Sequence, residues 1–140
     1  MVEIFEISEK SEMLKNLSVI QQMYSDLTLE SYSELLDEML PHNYGQIGAF
    51  VDGECIGVSG YWIHTKIWCG KCLEMDNVVV DQEHRSQGIG KLMEQFLEKK
   101  AKENGCKMMS LDAYVDNFPV HKFYVNQGYI ARGYHFIKRF

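Results

Sequence analysis

Proline is scarce: Pro41 and Pro119 are the whole complement of this 140-residue chain. With so few breakers, and with hydrophobic residues at 46%, the chain reads as one ordered domain over residues 1–140, large enough to bury a core. A basic excess is missing too. Fourteen Lys and Arg against twenty Asp and Glu leave a formal net charge of −6. No basic run occurs either, so nucleic acid and anionic membrane are not expected as partners. The acidic balance suits a cationic partner. No apolar run is long enough to span a bilayer, and the first six residues, Met-Val-Glu-Ile-Phe-Glu, lack the charged-then-apolar pattern of a secretion signal. A cytoplasmic location is expected, with the four cysteines, Cys55, Cys69, Cys72 and Cys106, reduced.

Cys69-Gly-Lys-Cys72 is a C-x-x-C, but its surroundings argue against metal or redox chemistry. A zinc ribbon needs a second such pair, and a thioredoxin-like motif must open a helix, whereas a strand pattern follows here. The pair reads as ordinary residues around a hairpin turn, and no metal is expected.

What the chain does have is a strand, a glycine turn and a helix in succession. Leu73 to Val80 alternates and is rich in valine, which predicts a strand. A polar turn over Asp81 to Gln87 follows. Gly88-Ile89-Gly90 opens a helix over Lys91 to Asn104, with Leu92, Met93, Phe96, Leu97 and Ala101 at helical spacing and Gly105 at the capping position. Such a junction gathers unpaired backbone N–H groups at the helix start, where glycine lets a phosphate approach the chain. A P-loop is excluded by the spacing and by the missing hydroxyl after Lys91. The dinucleotide fingerprint is excluded by Met93, which stands where its third glycine belongs.

Elsewhere, Val2 to Ile7 predicts a first strand, and Ser8 caps a predicted helix over Glu9 to Tyr24. A second helix carries Ser31 and Glu34 at capping-box spacing, with Leu35, Leu36, Met39 and Leu40 facing inward, and ends near Pro41. Gln46 to Val51 and Glu54 to Ile63 flank the hairpin signal Asp52-Gly53, and Gly57 and Gly60 suggest bends or close contacts. Cys106 to Tyr114 predicts another strand. Asn117 and Pro119 start a short helix closed by Gly128, and Tyr129 to Phe140 is expected to add one or two closing strands.

The hexapeptide Arg85-Ser86-Gln87-Gly88-Ile89-Gly90 fits R-x-x-G-x-G, which resembles the acyl-CoA pyrophosphate loop of the GNAT superfamily of N-acetyltransferases. A second stretch, Asn117-Phe-Pro-Val-His-Lys-Phe-Tyr124-Val-Asn-Gln-Gly128-Tyr129, is similar to that family's N-x-x-A-x-x-F-Y-x-x-x-G-F. It departs at Val120, where alanine is usual, and at Tyr129 for phenylalanine. The element order matches the family over essentially the whole chain. The resemblance implies an α+β fold with a mixed, mostly antiparallel sheet and helices on both faces. It also implies an enzyme that moves an acetyl group from acetyl-CoA to an amine.

Site residues follow from the resemblance position by position. The loop Arg85 to Lys91 would hold the pyrophosphate mainly through backbone N–H groups. Val78, Val79 and Val80 would pair with the pantetheine arm, with the Val78 N–H donating to the thioester oxygen. Asn117 matches a position that hydrogen-bonds the pantetheine, and it equally suits a helix cap. Tyr124 matches the general acid: a phenol near ~10 can return a proton to a thiolate of pKa ~8–9 when it lies close to the sulfur. For the base two carboxylates compete. Alternation along a strand places Glu74, Asp76, Val78 and Val80 on one face. Some family members carry a base at the position of Glu74 and others an acidic residue at that of Asp76; Glu74 is preferred as base and Asp76 as substrate anchor or water holder. His64, His84, His121 and His135 are alternatives. Tyr24, Tyr32, Tyr44, Tyr61 and Trp62 could wall the acceptor cleft. The expected acceptor is a small-molecule amine, against a protein lysine or N-terminal amine, or a non-catalytic acyl-CoA-binding domain. A homodimer through the C-terminal strands is a family-level expectation.

Overall fold

The alternating stretches form five strands: β1 (Glu3–Ile7), β2 (Tyr44–Val51), β3 (Glu54–Lys66), β4 (Gly70–Val80) and β5 (Met108–Ser110). They make one sheet in the order β1-β2-β3-β4-β5, antiparallel except for the parallel β4–β5 edge. The computed structural model describes all of residues 1–140, which divide into two compact units, Met1–Ser110 and Leu111–Phe140.

In the first unit, α1 (Lys10–Lys15), α2 (Leu17–Ile20) and α3 (Leu29–Met39) lie on one face of the sheet. Met13, Val19, Ile20, Tyr32 and Leu36 from these helices close over Ile7, Tyr44, Val58 and Val79. The opposite face carries α4 (Ile89–Glu103), whose Ile89, Met93, Leu97 and Ala101 are buried. Tyr61 points to this second face, where it hydrogen-bonds Glu6 and lies under the Lys100 ammonium.

Several local readings change. The single helix expected over Glu9 to Tyr24 is broken at Asn16, and Glu9, not Ser8, stands at its start. Asn16 is buried and its side-chain amide donates to the Glu12 carbonyl at 3.2 Å, a local bond that competes with helical continuation. The capping box of α3 is Thr28 with Ser31, not Ser31 with Glu34, because the Ser31 hydroxyl accepts from the Thr28 N–H at 3.0 Å while Thr28 Oγ1 accepts from the Ser31 N–H at 3.1 Å. Asp52 and Gly53 both adopt positive φ, 50° and 81°, which fits the two-residue hairpin turn the sequence signals. The end of α4 is as expected: Gly105 is left-handed, and the Cys106 and Gly105 N–H groups reach the Ala101 and Lys102 carbonyls at 2.9 and 3.1 Å.

In the second unit, α5 (Phe118–Asn126) begins at Asn117, whose side chain accepts from the Val120 N–H. Gly128, at φ 96°, ends it. The strand expected over Cys106 to Tyr114 is confined to Met108–Ser110, and Tyr129 to Phe140 forms no strand. The alternation is there, but a strand needs a partner edge, and residues 111–140 contain none.

Candidate active site

The site in the first unit is built on an irregularity in β4. Val58 pairs with Val79 and Gly60 with Asp76, so one residue of β3 spans two of β4, Asn77 and Val78. This is a β-bulge, and Asn77 carries it in the left-handed region at φ 53°. The bulge overturns the expected alternation. Glu74 and Asp76 still share a face, but Val79, not Val78 or Val80, continues it, and Val79 belongs to the core under α1–α3. The ladder to β3 skips Asn77 and Val78, leaving the Val78 backbone outside the regular pairing. On the other edge, the parallel ladder runs only from Cys72–Met108 to Glu74–Ser110. The ladder thus ends short of Asp76 to Val80, and an extended ligand can add there as a strand.

Glu74 and Asp76 are both engaged by β3. The Trp62 indole N–H donates to Asp76 Oδ2 at 2.9 Å, and His64 Nε2 lies 3.1 Å from Glu74 Oε2. Beyond His64, the Cys72 sulfur is 3.2 Å from Nδ1. A carboxylate only accepts, so the proton of a neutral His64 sits on Nε2, and Nδ1 takes the Cys72 S–H. The thiol stays protonated, because burial first, and the adjoining Cys69 second, push it up to about 11. One Glu74 oxygen remains free for a substrate.

Around this row stand rings. Tyr44 packs against Trp62 with centroids 4.8 Å apart, and its hydroxyl, like that of Tyr32, contacts the buried Gln46 amide. Burial holds the Tyr44 phenol above its usual range, so it stays neutral. The Tyr24 hydroxyl accepts from the Asn77 side chain at 2.9 Å. Of the five aromatic residues suggested by sequence, Tyr61 alone belongs to the other face.

After β4, Asp81 caps a short turn over Gln82–His84, and the Arg85 Nε donates back to the Val80 carbonyl at 3.1 Å. Arg85 thus ties the loop to the strand end. Ser86 and Gly88 are left-handed, at φ 62° and 79°, and Gly88 stands at the start of α4 with no side chain capping it. The helix opens at Ile89, two residues before the expected Lys91. Its first N–H groups, through Lys91, have no intrahelical acceptor, and a Cβ on Gly88 would meet no atom within 4 Å. This open, uncapped terminus fits a diphosphate.

In the second unit, Tyr124 is held edge-on between Phe123 and Tyr129, at centroid distances of 5.0 and 5.4 Å. The Tyr129 N–H also bonds the Tyr124 carbonyl at 3.0 Å, part of the turn that ends α5. His121 is spent on the Tyr114 carbonyl, and His135 pairs with Asp112. His84 pairs with Asp81.

A family model described as the GNAT acetyltransferase family matches residues 11–129, across both units. The chain belongs to that family. It is an N-acetyltransferase, and the family's acetyl donor is acetyl-CoA. Among its relatives is an uncharacterized N-acetyltransferase YhdJ of Bacillus subtilis, 21% identical over 140 residues, covering 99% of each chain. An aminoalkylphosphonate N-acetyltransferase of Salmonella typhimurium is 27% identical over 94 residues, 64% of this chain and 59% of its own length. The fold is shared with an aminoglycoside N-acetyltransferase, AAC(6')-Iy, solved in complex with CoA: TM-score 0.85 at 16% identity, covering 99% of this chain and 94% of that one.

Two features of this acetyltransferase escape sequence reading. The bulge has one signal, an asparagine, which tolerates positive φ better than most residues. The Trp62–Asp76 and His64–Glu74 pairs have another: two polar residues two apart on β3, each bonded diagonally to one of two carboxylates two apart on β4, since the register sets Trp62 opposite Glu74 and His64 opposite Cys72.

Proposed function

We propose that residues 1–140 act as a single acetyltransferase domain, transferring the acetyl group of acetyl-CoA to the primary amine of a small molecule by direct attack on the thioester. The observation that carries this is the junction of an uncapped α4 start with a bulged β4 whose ladder to β5 ends at Glu74, short of Asp76 to Val80. The backbone N–H groups from Gly88 to Lys91 take the diphosphate, and Arg85, Ser86 and Gln87 shape the loop that presents them. Val78, Val79 and Val80 offer the edge on which the pantetheine arm lies, and the Val78 N–H donates to the thioester oxygen as it gains charge. Coenzyme A supplies the acetyl group as a thioester.

Glu74 is the proposed base for the incoming ammonium, with Asp76 anchoring the substrate or holding a water. Their β3 partners keep both carboxylates oriented. Tyr124 is the proposed acid that returns a proton to the leaving thiolate, and Asn117, which caps α5, adds a bond to the pantetheine. Two carboxylates walled by tyrosine and tryptophan rings, on a chain of net charge −6, favour a cationic small amine. The amine acceptors named for the relatives favour the same reading. Location in the cytoplasm and a homodimer belong to this proposal.

Calorimetry with acetyl-CoA, followed by thiol release against a panel of small amines and lysine peptides, tests it. Coenzyme binding with turnover of small amines is expected. Turnover of peptides alone would move the acceptor to protein, and binding without turnover would make the domain a sensor. Tyr124→Phe is expected to lower kcat by about tenfold or more with little change in acetyl-CoA affinity; unchanged turnover removes Tyr124 as the acid.

A further inference from the structure

The segment between α2 and α3, Gln21 to Leu27, is fastened to the coenzyme side of the site at two points. The Gln22 side chain makes a two-way contact with the turn after β4: its Nε2 donates to Asp81 Oδ2 at 2.7 Å, and its Oε1 accepts from the Gln82 N–H at 3.0 Å. Two residues on, the Tyr24 hydroxyl accepts from the Asn77 side chain, the left-handed residue of the bulge. Asp81 is central to the first contact. Its backbone N–H bonds the Ile56 carbonyl at 2.8 Å, its Oδ1 caps Glu83 at 2.9 Å, and His84 lies 3.4 Å away. Gln22 is also the largest influence holding the Asp81 carboxyl below the usual carboxylate range, ahead of Glu83 and His84.

None of these contacts is needed to build the core. Gln22 and Tyr24 lie on the exposed side of the connection, and the helices on either side are anchored by Val19, Ile20, Tyr32 and Leu36. What the two contacts fix is the course of the chain from Asn77 through Gln82, which enters the phosphate-facing loop. We propose that Gln22 and Tyr24 are positioning residues that latch the connection before α3 onto the coenzyme site, Gln22 setting the loop that leads to Gly88 and Tyr24 setting the bulge. The inference rests on the proposed coenzyme site at the start of α4.

The two pins have separate signatures. Releasing the loop weakens coenzyme binding, whereas releasing the bulge moves the Val78 N–H, which acts when charge develops on the thioester oxygen. Gln22→Ala is expected to raise KM for acetyl-CoA about threefold to tenfold and to leave kcat within about twofold. Tyr24→Phe is expected to lower kcat about threefold or more with a smaller change in that KM. Gln22→Glu sets a carboxylate against Asp81 and is expected to exceed the alanine effect. Adding Asp81→Asn restores a donor opposite the new carboxylate while keeping net charge constant, and is expected to bring KM back to within about twofold of the parent. A role confined to general stability would move thermal midpoints in these variants and leave KM for acetyl-CoA at its parental value. KM unchanged in both Gln22 variants, or no recovery in the exchanged pair, overturns the latch. Failure of the parent protein to bind acetyl-CoA would instead overturn the coenzyme site itself, so the two failures are distinct.

Discussion

Gly60→Ala is a small change whose consequence can be worked out from distances. A Cβ at Gly60 would stand 2.5 Å from the Tyr44 hydroxyl oxygen, 2.9 Å from Tyr44 Cε1 and 3.0 Å from the Asp76 carbonyl oxygen. Gly60 itself keeps ordinary backbone angles, so the penalty is steric. The carbonyl belongs to the backbone of β4 and is the less mobile neighbour; Tyr44 must give way. It has little freedom, being 7% exposed, packed on Trp62 and bonded to Gln46 at 3.0 Å. Overpacking of this kind costs about 1–3 kcal/mol, which for a chain of this size lowers Tm by roughly 3–10 °C. Because Tyr44 leans on Trp62, and Trp62 holds Asp76, KM for the acceptor should rise as well. Differential scanning calorimetry and acceptor kinetics on Gly60→Ala, Tyr44→Phe and the double variant form the assay. Tyr44→Phe removes the nearest atom, so the alanine should cost less in that background. Gly133→Ala, where a Cβ meets nothing within 4 Å, is the control. A Gly60→Ala protein with parental Tm and acceptor KM, or equal costs in both backgrounds, would show that Tyr44 does not crowd position 60.

The parts legible in the sequence are those set by near neighbours along the chain. The strand from Leu73 to Val80, the helix from Lys91 onward and its Gly105 ending, and the Asn117–Gly128 frame of α5 each follow from spacing, capping and turn chemistry, although β4 starts earlier at Gly70 and α4 at Ile89. Gly60 was readable as a close contact, but its partner, Tyr44, comes from a neighbouring strand and no local pattern names it. The face of Val78 departs from the expected alternation because period-two counting assumes an unbroken ladder, and one left-handed asparagine shifts every residue after it. Ser31 shows the same limit on helices: Thr28 and Glu34 both stand at capping-box spacing from it, and only the structure shows that Thr28 is the partner. The sequence singles out Glu74 and Asp76 but not their pairing with His64 and Trp62, since a cross-strand pair exists only once register is fixed.

Further outcomes bear on the site. Glu74→Gln should cut kcat/KM for the amine by about tenfold or more, with the loss shrinking as pH rises and free amine accumulates; full activity from neutral to alkaline pH would remove Glu74 as base. Gly88→Ala forces a side chain into the left-handed region at φ 79°, at a cost of roughly 1–2 kcal/mol, and should weaken acetyl-CoA binding in calorimetry by about tenfold; parental affinity would place the diphosphate elsewhere. Cys72 gives a test independent of turnover. It is 1% exposed, its sulfur lies 3.2 Å from His64 Nδ1, and its pKa is pushed from 9.0 up to about 11. In native protein at pH ~8, near the ordinary thiol range, alkylation should therefore mark the half-buried Cys69 and Cys106 well before Cys72. The sign of the stability effect follows from proton binding. Between the unfolded value and about 11 the native thiol keeps a proton that the unfolded chain has released, so stability falls as pH rises through that window and is untouched below it. Cys55 and the buried tyrosines Tyr44 and Tyr61 are also raised, so the parent alone cannot isolate one thiol. Cys72→Ser keeps the shape and the bond to His64 while removing the titration, and its Tm should decline less steeply with pH than the parent's over that interval. Parallel declines, or Cys72 labelled as fast as Cys69, would mean that the thiol is not sealed behind His64 and that the orientation of Glu74 has another source.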